Sequence, residues 1–223
     1  MSDLTPVWIS LQLASVTVAI LLVLGTPLAW WLAMGRSRWR TPVDAVVALP
    51  LVLPPTVLGF YLLILLGPDG PVGGPWLAVT GNTLTFSFAG LVITSVLYSL
   101  PFVVQPLRSA FSNVGGQPLE TAALLGASPG DAFLTVACPL ARRGFVTAMV
   151  LGFAHTLGEF GAILMVGGSI PGETRTVAIA IFEHVETLEY GAAHALSAGL
   201  LVFSFIALLG IYSLNGRRIG VGV

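Results

Sequence analysis

VWISLQLASVTVAILLVLGTPLAWWLAM, residues 7–34, contains no charged side chain. About 20 helical residues at 1.5 Å each cross the roughly 30 Å of hydrocarbon in a bilayer, so this run is long enough to span. It is too continuous for a barrel strand, and a helix satisfies its own backbone in lipid. It is also too long for the apolar core of a signal peptide, and Met1 to Pro6 lack the basic residues that precede one. The run therefore reads as a retained transmembrane helix.

Four more apolar runs follow, at about Val43–Leu66, Leu84–Leu107, Phe145–Val166 and Ala192–Leu214. The whole chain is 56% hydrophobic and 9% charged, with a mean hydropathy of +0.95. Soluble domains carry roughly 25% charged residues, so a water-soluble core is excluded. The fold class is all-α: a polytopic membrane protein of about five transmembrane helices.

All nine basic residues are arginine. With the N-terminus outside, Arg36, Arg38, Arg40, Arg108, Arg142, Arg143, Arg217 and Arg218 fall in cytoplasmic segments and only Arg175 lies outside. The positive-inside rule thus predicts N-out, C-in. The missing lysine removes any normal P-loop, whose lysine reaches the nucleotide phosphates, so ATP that drives this chain is bound by another polypeptide. The single cysteine, Cys138, permits no intrachain disulfide and no thiolate cluster, and no metal site is expected. No long-period repeat supports an inverted-repeat carrier.

The external segments differ. Gly67 to Pro75 reads as a turn-rich connector without helical pattern. The second, about 167–191, carries Glu173, Glu183, Glu186 and Glu189, candidates for contact with an extracytoplasmic protein. Its apolar Thr176–Phe182 is too short to span, and the preferred reading is a partly re-entrant segment, with a packed external helix as the alternative.

Between the third and fourth runs lies a polar island, the cytoplasmic loop of about 108–141. Leu119–Leu125 holds good helix formers, and Gly126 is placed to end that helix in a left-handed turn. Ser128 is a natural N-cap, Pro129 fits the first helical position, and Asp131 completes a variant capping box. Pro139 marks the entry to the next span. The small Ala122 and Ala123 would let such a hairpin approach a groove closely, with Gly126 setting its angle.

Two features lie within the spans. Leu49-Pro-Leu-Val-Leu-Pro-Pro-Thr56-Val-Leu-Gly59 places three prolines in the second run, giving either a broken helix or a simple kink near its cytoplasmic end. His155-Thr-Leu-Gly-Glu159-Phe-Gly-Ala162 places two ionisable residues in the fourth, a functional signal in a membrane. Their four-residue spacing puts them on one helix face, as a structural polar pair or as a proton relay.

The hairpin resembles the coupling loop of ATP-binding-cassette importer membrane subunits. The residues carrying that likeness are Glu120-Thr121-Ala122-Ala123, Gly126-Ala127-Ser128 and Cys138-Pro139-Leu140. Thr121 is an insertion relative to a strict Glu-Ala-Ala, Cys138 replaces a leucine, and Arg143 stands where a second proline is common. The proline stretch, Gly158-Glu-Phe-Gly-Ala162 and Gly167–Thr176 narrow the resemblance to permeases of molybdate importers, with sulfate and tungstate permeases as relatives.

The resemblance covers about Ser15 to Leu214 and implies a type I importer permease fold, a single transmembrane permease domain over 1–223. It implies a homodimer in the bacterial cytoplasmic membrane around one pathway, two cytoplasmic ATPase subunits carrying ATP and Mg, and an external oxyanion-binding protein. It assigns ATPase coupling to Glu120, Thr121, Ala122, Ala123, Gly126, Ala127 and Ser128, and makes Pro54, Pro55, Thr56, Gly158, Glu159 and Gly161 candidates for the pathway or gate. No cofactor is expected on this chain, and no nucleic acid among its partners. Because the spans contain no central arginine, the chain is expected to bind free oxyanion weakly, leaving selectivity to the binding protein. Thiosulfate is a further candidate substrate. A proton-coupled secondary transporter using Glu159 and His155, or a scaffold without transport, are the alternative classes.

Overall fold

The computed structural model describes residues 4–35 and 37–216. Arg36, Arg217 and Arg218 lie outside the described residues. The chain is helical throughout: α1 (Thr5–Met34), α2 (Arg40–Val52), α3 (Pro55–Leu66), α4 (Gly73–Thr80), α5 (Phe88–Val114), α6 (Gln117–Leu124), α7 (Pro129–Asp131), a π-helical turn (Ala132–Ala137), α8 (Cys138–Leu140), α9 (Arg142–Gly158), α10 (Gly161–Gly167), α11 (Val177–Glu186) and α12 (Tyr190–Gly216).

Three helices, α1, α5 and α12, are long and apolar enough to cross a membrane unaided. The second run is not one rod: α2 and α3 meet at 112°. Leu49 still accepts from the Leu53 N–H at 3.0 Å, but Pro54 and Pro55 bring no N–H to continue the ladder. The broken-helix reading therefore holds over the simple kink. The fourth run breaks too, at Glu159 and Phe160, splitting it into α9 and α10. At 1.5 Å per residue, twelve-residue α3 reaches only about 18 Å, so each half depends on neighbours.

The core is α5 set among α1, α9 and α2. Its Leu91, Val103, Val104, Leu107 and Phe111 are fully buried. Ser87 caps its start, accepting from the Gly90 N–H at 3.2 Å. Near its other end, Trp30 of α1 packs edge-on against Phe111 at 5.2 Å and against Phe133 of the π-helical turn at 5.0 Å. Phe145 of α9 closes this cluster at 5.9 Å from Phe111. Such aromatic pairs are worth about 0.5–1.5 kcal/mol each beyond area burial. The hairpin is thereby anchored to three spans at once.

Arginines at this end are partly structural. Arg40 reaches back to the end of α1, donating to the carbonyls of Leu32, of Ala33 at 3.1 Å, and of Gly35 at 2.5 Å, as a cation at a helix C-terminus should. Arg108 pairs with Asp44, tying α5 to α2.

Two expectations for the external segments are corrected. The connector from Gly67 is a turn only to Val72, because α4 starts at Gly73 and carries Pro75 in its first turn, where a missing N–H costs nothing. Thr176–Phe182 belongs to α11, a packed helix. Thr176 caps it, and the Val177 N–H donates to Ser10 of α1 at 2.8 Å. Ile179 is buried with Leu13, Leu91 and Ile163, and the helix runs on towards α12.

Candidate functional site

The hairpin carries out the turn that its sequence encodes. Gly126 has φ +88°, in the left-handed region, where an L side chain costs about 1–2 kcal/mol. Ser128 accepts from the Asp131 N–H at 3.2 Å and donates to the Asp131 carboxylate at 2.6 Å, closing the cap from both sides. The faces differ from the sequence expectation. Ala122 is buried, because α6 packs that side onto the π-helical turn. Ala123 is exposed, and the two leucines after it stand out furthest, Leu124 at 89% and Leu125 at 84%. Adjacent exposed leucines on a capped, anchored tip form an apolar patch that needs cover. Sequence periodicity missed them because they looked like the buried side of an amphipathic helix. Glu120, Thr121, Gly126 and Ser128 are exposed around this tip, with Ala127 half-buried.

The two breaks meet. Helix α10 packs along α3, and glycines set the distance. A Cβ on Gly161 would lie 2.8 Å from the Pro55 Cβ, and one on Gly59 would lie 2.9 Å from both the Ala162 Cα and the Met165 Cβ. Only hydrogen fits at either point. Pro55 and Gly161 are thus brought together, with Pro54 and Thr56 exposed beside them. Gly158 is exposed, with open space where its Cβ would be.

Glu159 occupies the second break in extended conformation, φ −73° and ψ 135°. It is therefore not on a helix face with His155, and no hydrogen bond or ion pair joins the two, which corrects the expected pair. Glu159 is 5% exposed, and neither carboxylate oxygen makes a hydrogen bond of good geometry. The Ile163 N–H in the first turn of α10 is the backbone donor that faces it.

His155 finds its partners on α5 instead. Its ring stacks on Phe102 at 3.8 Å, and its Nδ1 lies 2.9 Å from the Ser99 hydroxyl. Ser99 also meets the Thr156 hydroxyl at 3.0 Å, and Thr156 donates to the Gly152 carbonyl at 2.9 Å. Each hydroxyl has one proton. Thr156 spends its own on Gly152, so Ser99 donates to Thr156, and His155 must donate from Nδ1 to Ser99. The chain fixes the tautomer and leaves Nε2 as an acceptor. The relay through Glu159 loses its geometric basis. Ser99→Ala removes the centre of this chain and should cost about 1–3 kcal/mol, read as a lowered Tm of the purified protein. An unchanged Tm would show that the chain contributes nothing. The available sequence signal was Thr94, Ser95 and Ser99, polar residues inside an otherwise apolar span.

On the opposite side, Glu183 is engaged within the chain. It pairs with Arg175 at 2.6 Å and accepts from the Ser169 hydroxyl. Glu189 pairs with His184 at 2.8 Å. Glu173 and Glu186 are exposed and, among the described residues, have no ion-pair partner.

Apolar helices long enough to span, two of them broken at points that meet around a glycine contact, are the architecture of a polytopic membrane protein. The chain belongs to the family of binding-protein-dependent transport system inner membrane components, whose pattern matches residues 25–220. It is similar to the molybdenum transport system permease protein ModB of Azotobacter vinelandii, 58% identical over 221 residues that cover 99% of this chain and 97% of that one. It is also 32% identical over 195 residues to the sulfate transport system permease protein CysT of Escherichia coli, covering 87% and 70%. Its fold matches the inward-facing MetNI methionine ABC transporter with a TM-score of 0.72 at 16% identity, over 96% of this chain and 97% of that one. The fold is therefore that of a type I importer permease.

Proposed function

We propose that this chain is the permease subunit of a molybdate importer in the bacterial cytoplasmic membrane, oriented N-out and C-in. Two copies enclose one pathway, two separate ATPase subunits hold the hairpins from the cytoplasm, and an external oxyanion-binding protein delivers substrate. The observation that carries the reading is 58% identity over nearly the full length of a protein named for molybdenum transport.

Chemistry supports the division of labour. ATP and Mg belong to the ATPase, because this chain has no lysine for a P-loop. Leu124, Leu125 and Gly126 form the tip that the ATPase cleft covers. Arg38, Arg40, Arg142 and Arg143 cluster with Arg108 at the hairpin end, which favours the cytoplasm for that side. Closure of the ATPases draws the hairpins together, and the Trp30–Phe111–Phe133–Phe145 cluster passes that movement to α1, α5 and α9. The paired breaks let α3 and α10 move as a unit and open the pathway outward; hydrolysis resets it. Exposed Glu173 and Glu186 are the acidic groups free to meet basic residues on the binding protein.

The similarity to a sulfate permease makes sulfate the second reading. Reconstituting the permease, its ATPase and its binding protein separates the two. Molybdate at equal concentration should stimulate ATP hydrolysis where sulfate does not. Stimulation by sulfate alone would overturn the molybdate assignment.

A further inference from the structure

The hairpin-side half of α5 turns a polar edge outward. Gln105, Ser109 and Asn113 recur every four residues, so they share a helix face. That face opens onto two adjoining cavities of about 670 Å³ and 530 Å³. The larger sits where α5 crosses the start of α9, and Arg143 and Thr147 of α9 line it opposite Ser109 and Asn113. Its volume falls within the range of about 300–1,000 Å³ usual for small-molecule sites. No aspartate or glutamate lines either cavity among the described residues.

The donors facing this space are unspent. Arg108 is paired with Asp44, but the Arg143 guanidinium has no ion pair or hydrogen bond among the described residues. Some helical hydroxyls turn back on the carbonyl four residues earlier, as Thr26 does to Leu22 at 2.5 Å, Thr121 to Gln117 at 2.9 Å and Thr135 to Asp131 at 2.6 Å, while Thr17, Thr94 and Ser95 are buried without a partner. Ser109 and Thr147 make no such bond, and the Asn113 amide is also unpaired. A cation, two hydroxyls and an amide thus line one open cavity that no described carboxylate lines. A tetrahedral dianion, with four acceptor oxygens and no donors, fits that set.

We propose that Arg143, Ser109, Asn113 and Thr147 form an oxyanion station at the cytoplasmic end of the pathway, where the substrate pauses before release. It rests on the permease reading and adds a binding role for this chain's own residues. Arg142 and Arg143 at the start of α9 both lack an ion pair among the described residues, and of the two it is Arg143 that lines this cavity, with no counter-ion in place. Its exposure to solvent keeps binding weak through screening, as release requires. A phosphate headgroup of an anionic lipid presents the same chemistry, and the experiment separates the two.

The test uses the complete permease–ATPase complex in inside-out vesicles of zwitterionic lipid. Cys138, which faces a different cavity, is replaced by serine, and Thr147→Cys supplies the reporter. A negatively charged methanethiosulfonate should label it about threefold or more faster than a positively charged one, given an uncompensated cation beside it. Millimolar molybdate should slow labelling, and Arg143→Gln should abolish both effects. Equal labelling by the two reagents, or molybdate protection that survives Arg143→Gln, overturns the proposal. Protection by phosphatidylglycerol but not by molybdate assigns the cavity to lipid and also overturns it. ATP-driven molybdate uptake is measured separately, with Cys138→Ser alone, in vesicles that enclose ATP and ATPase and receive the loaded binding protein outside. Protection without uptake supports the station while counting against the permease reading, and uptake without protection does the reverse.

Discussion

ATP-driven uptake through a complex carrying Gly126→Arg should fall at least about tenfold, with membrane insertion and the amount of folded permease unchanged. Two costs combine in that substitution. Any L side chain at φ +88° resists the left-handed turn by about 1–2 kcal/mol, and tenfold corresponds to about 1.4 kcal/mol. Arginine then adds a long cation on the surface that carries Leu124 and Leu125. Apart from its chain neighbours, no atom of the described residues lies within 4 Å of the position a Cβ would take at Gly126, so alanine meets only the backbone cost. Gly126→Ala should therefore retain partial uptake while Gly126→Arg retains almost none. ATP hydrolysis by the arginine variant should also lose its response to the loaded binding protein. Undiminished uptake in the arginine variant would refute docking at this tip.

The parts of this fold legible in sequence were those that follow from hydropathy and from proline or glycine stereochemistry. The apolar runs gave the spans, and Pro54 and Pro55 marked where the first break falls while leaving a simple kink open. Gly126 and Ser128 gave the hairpin turn to the residue. The second break was hidden because Gly158-Glu-Phe-Gly161 contains no proline, and a helical spacing rule applied across it paired His155 with Glu159. The true partners of His155 lie on α5, more than fifty residues earlier in the chain, a distance at which no periodicity speaks. Burial of Ala122 rather than Ala123 depended on a π-helical turn at Ala132–Ala137, which rotates the returning chain and has no local sequence signature. The outward leucines belong to the same failure: a helix that packs by its small residue exposes the large ones, and hydrophobicity alone reads that orientation backwards.

The contact between the two broken spans predicts a second large effect, at Gly59. A side chain there would strike the Ala162 Cα and the Met165 Cβ, both at 2.9 Å. Neither is the far end of a flexible side chain, so no rotamer change relieves the clash, and trimming Met165 to alanine leaves its Cβ in place. Gly59→Leu must push α3 away from α10, costing about 1–3 kcal/mol as overpacking, and it separates the surfaces that hold Leu62, Leu66 and Val166 in one cluster. A lowered Tm and a loss of uptake of about tenfold or more should follow, with Met165→Ala giving no rescue. Gly199→Ala in α12 is the matched control: beyond the helix's own backbone, nothing among the described residues lies within 4 Å of its Cβ position, and alanine favours helix over glycine by about 1 kcal/mol. If Gly59→Leu transports and melts like that control, α3 and α10 do not pack closely in the working transporter, and the pathway wall cannot move as the paired unit that the mechanism requires.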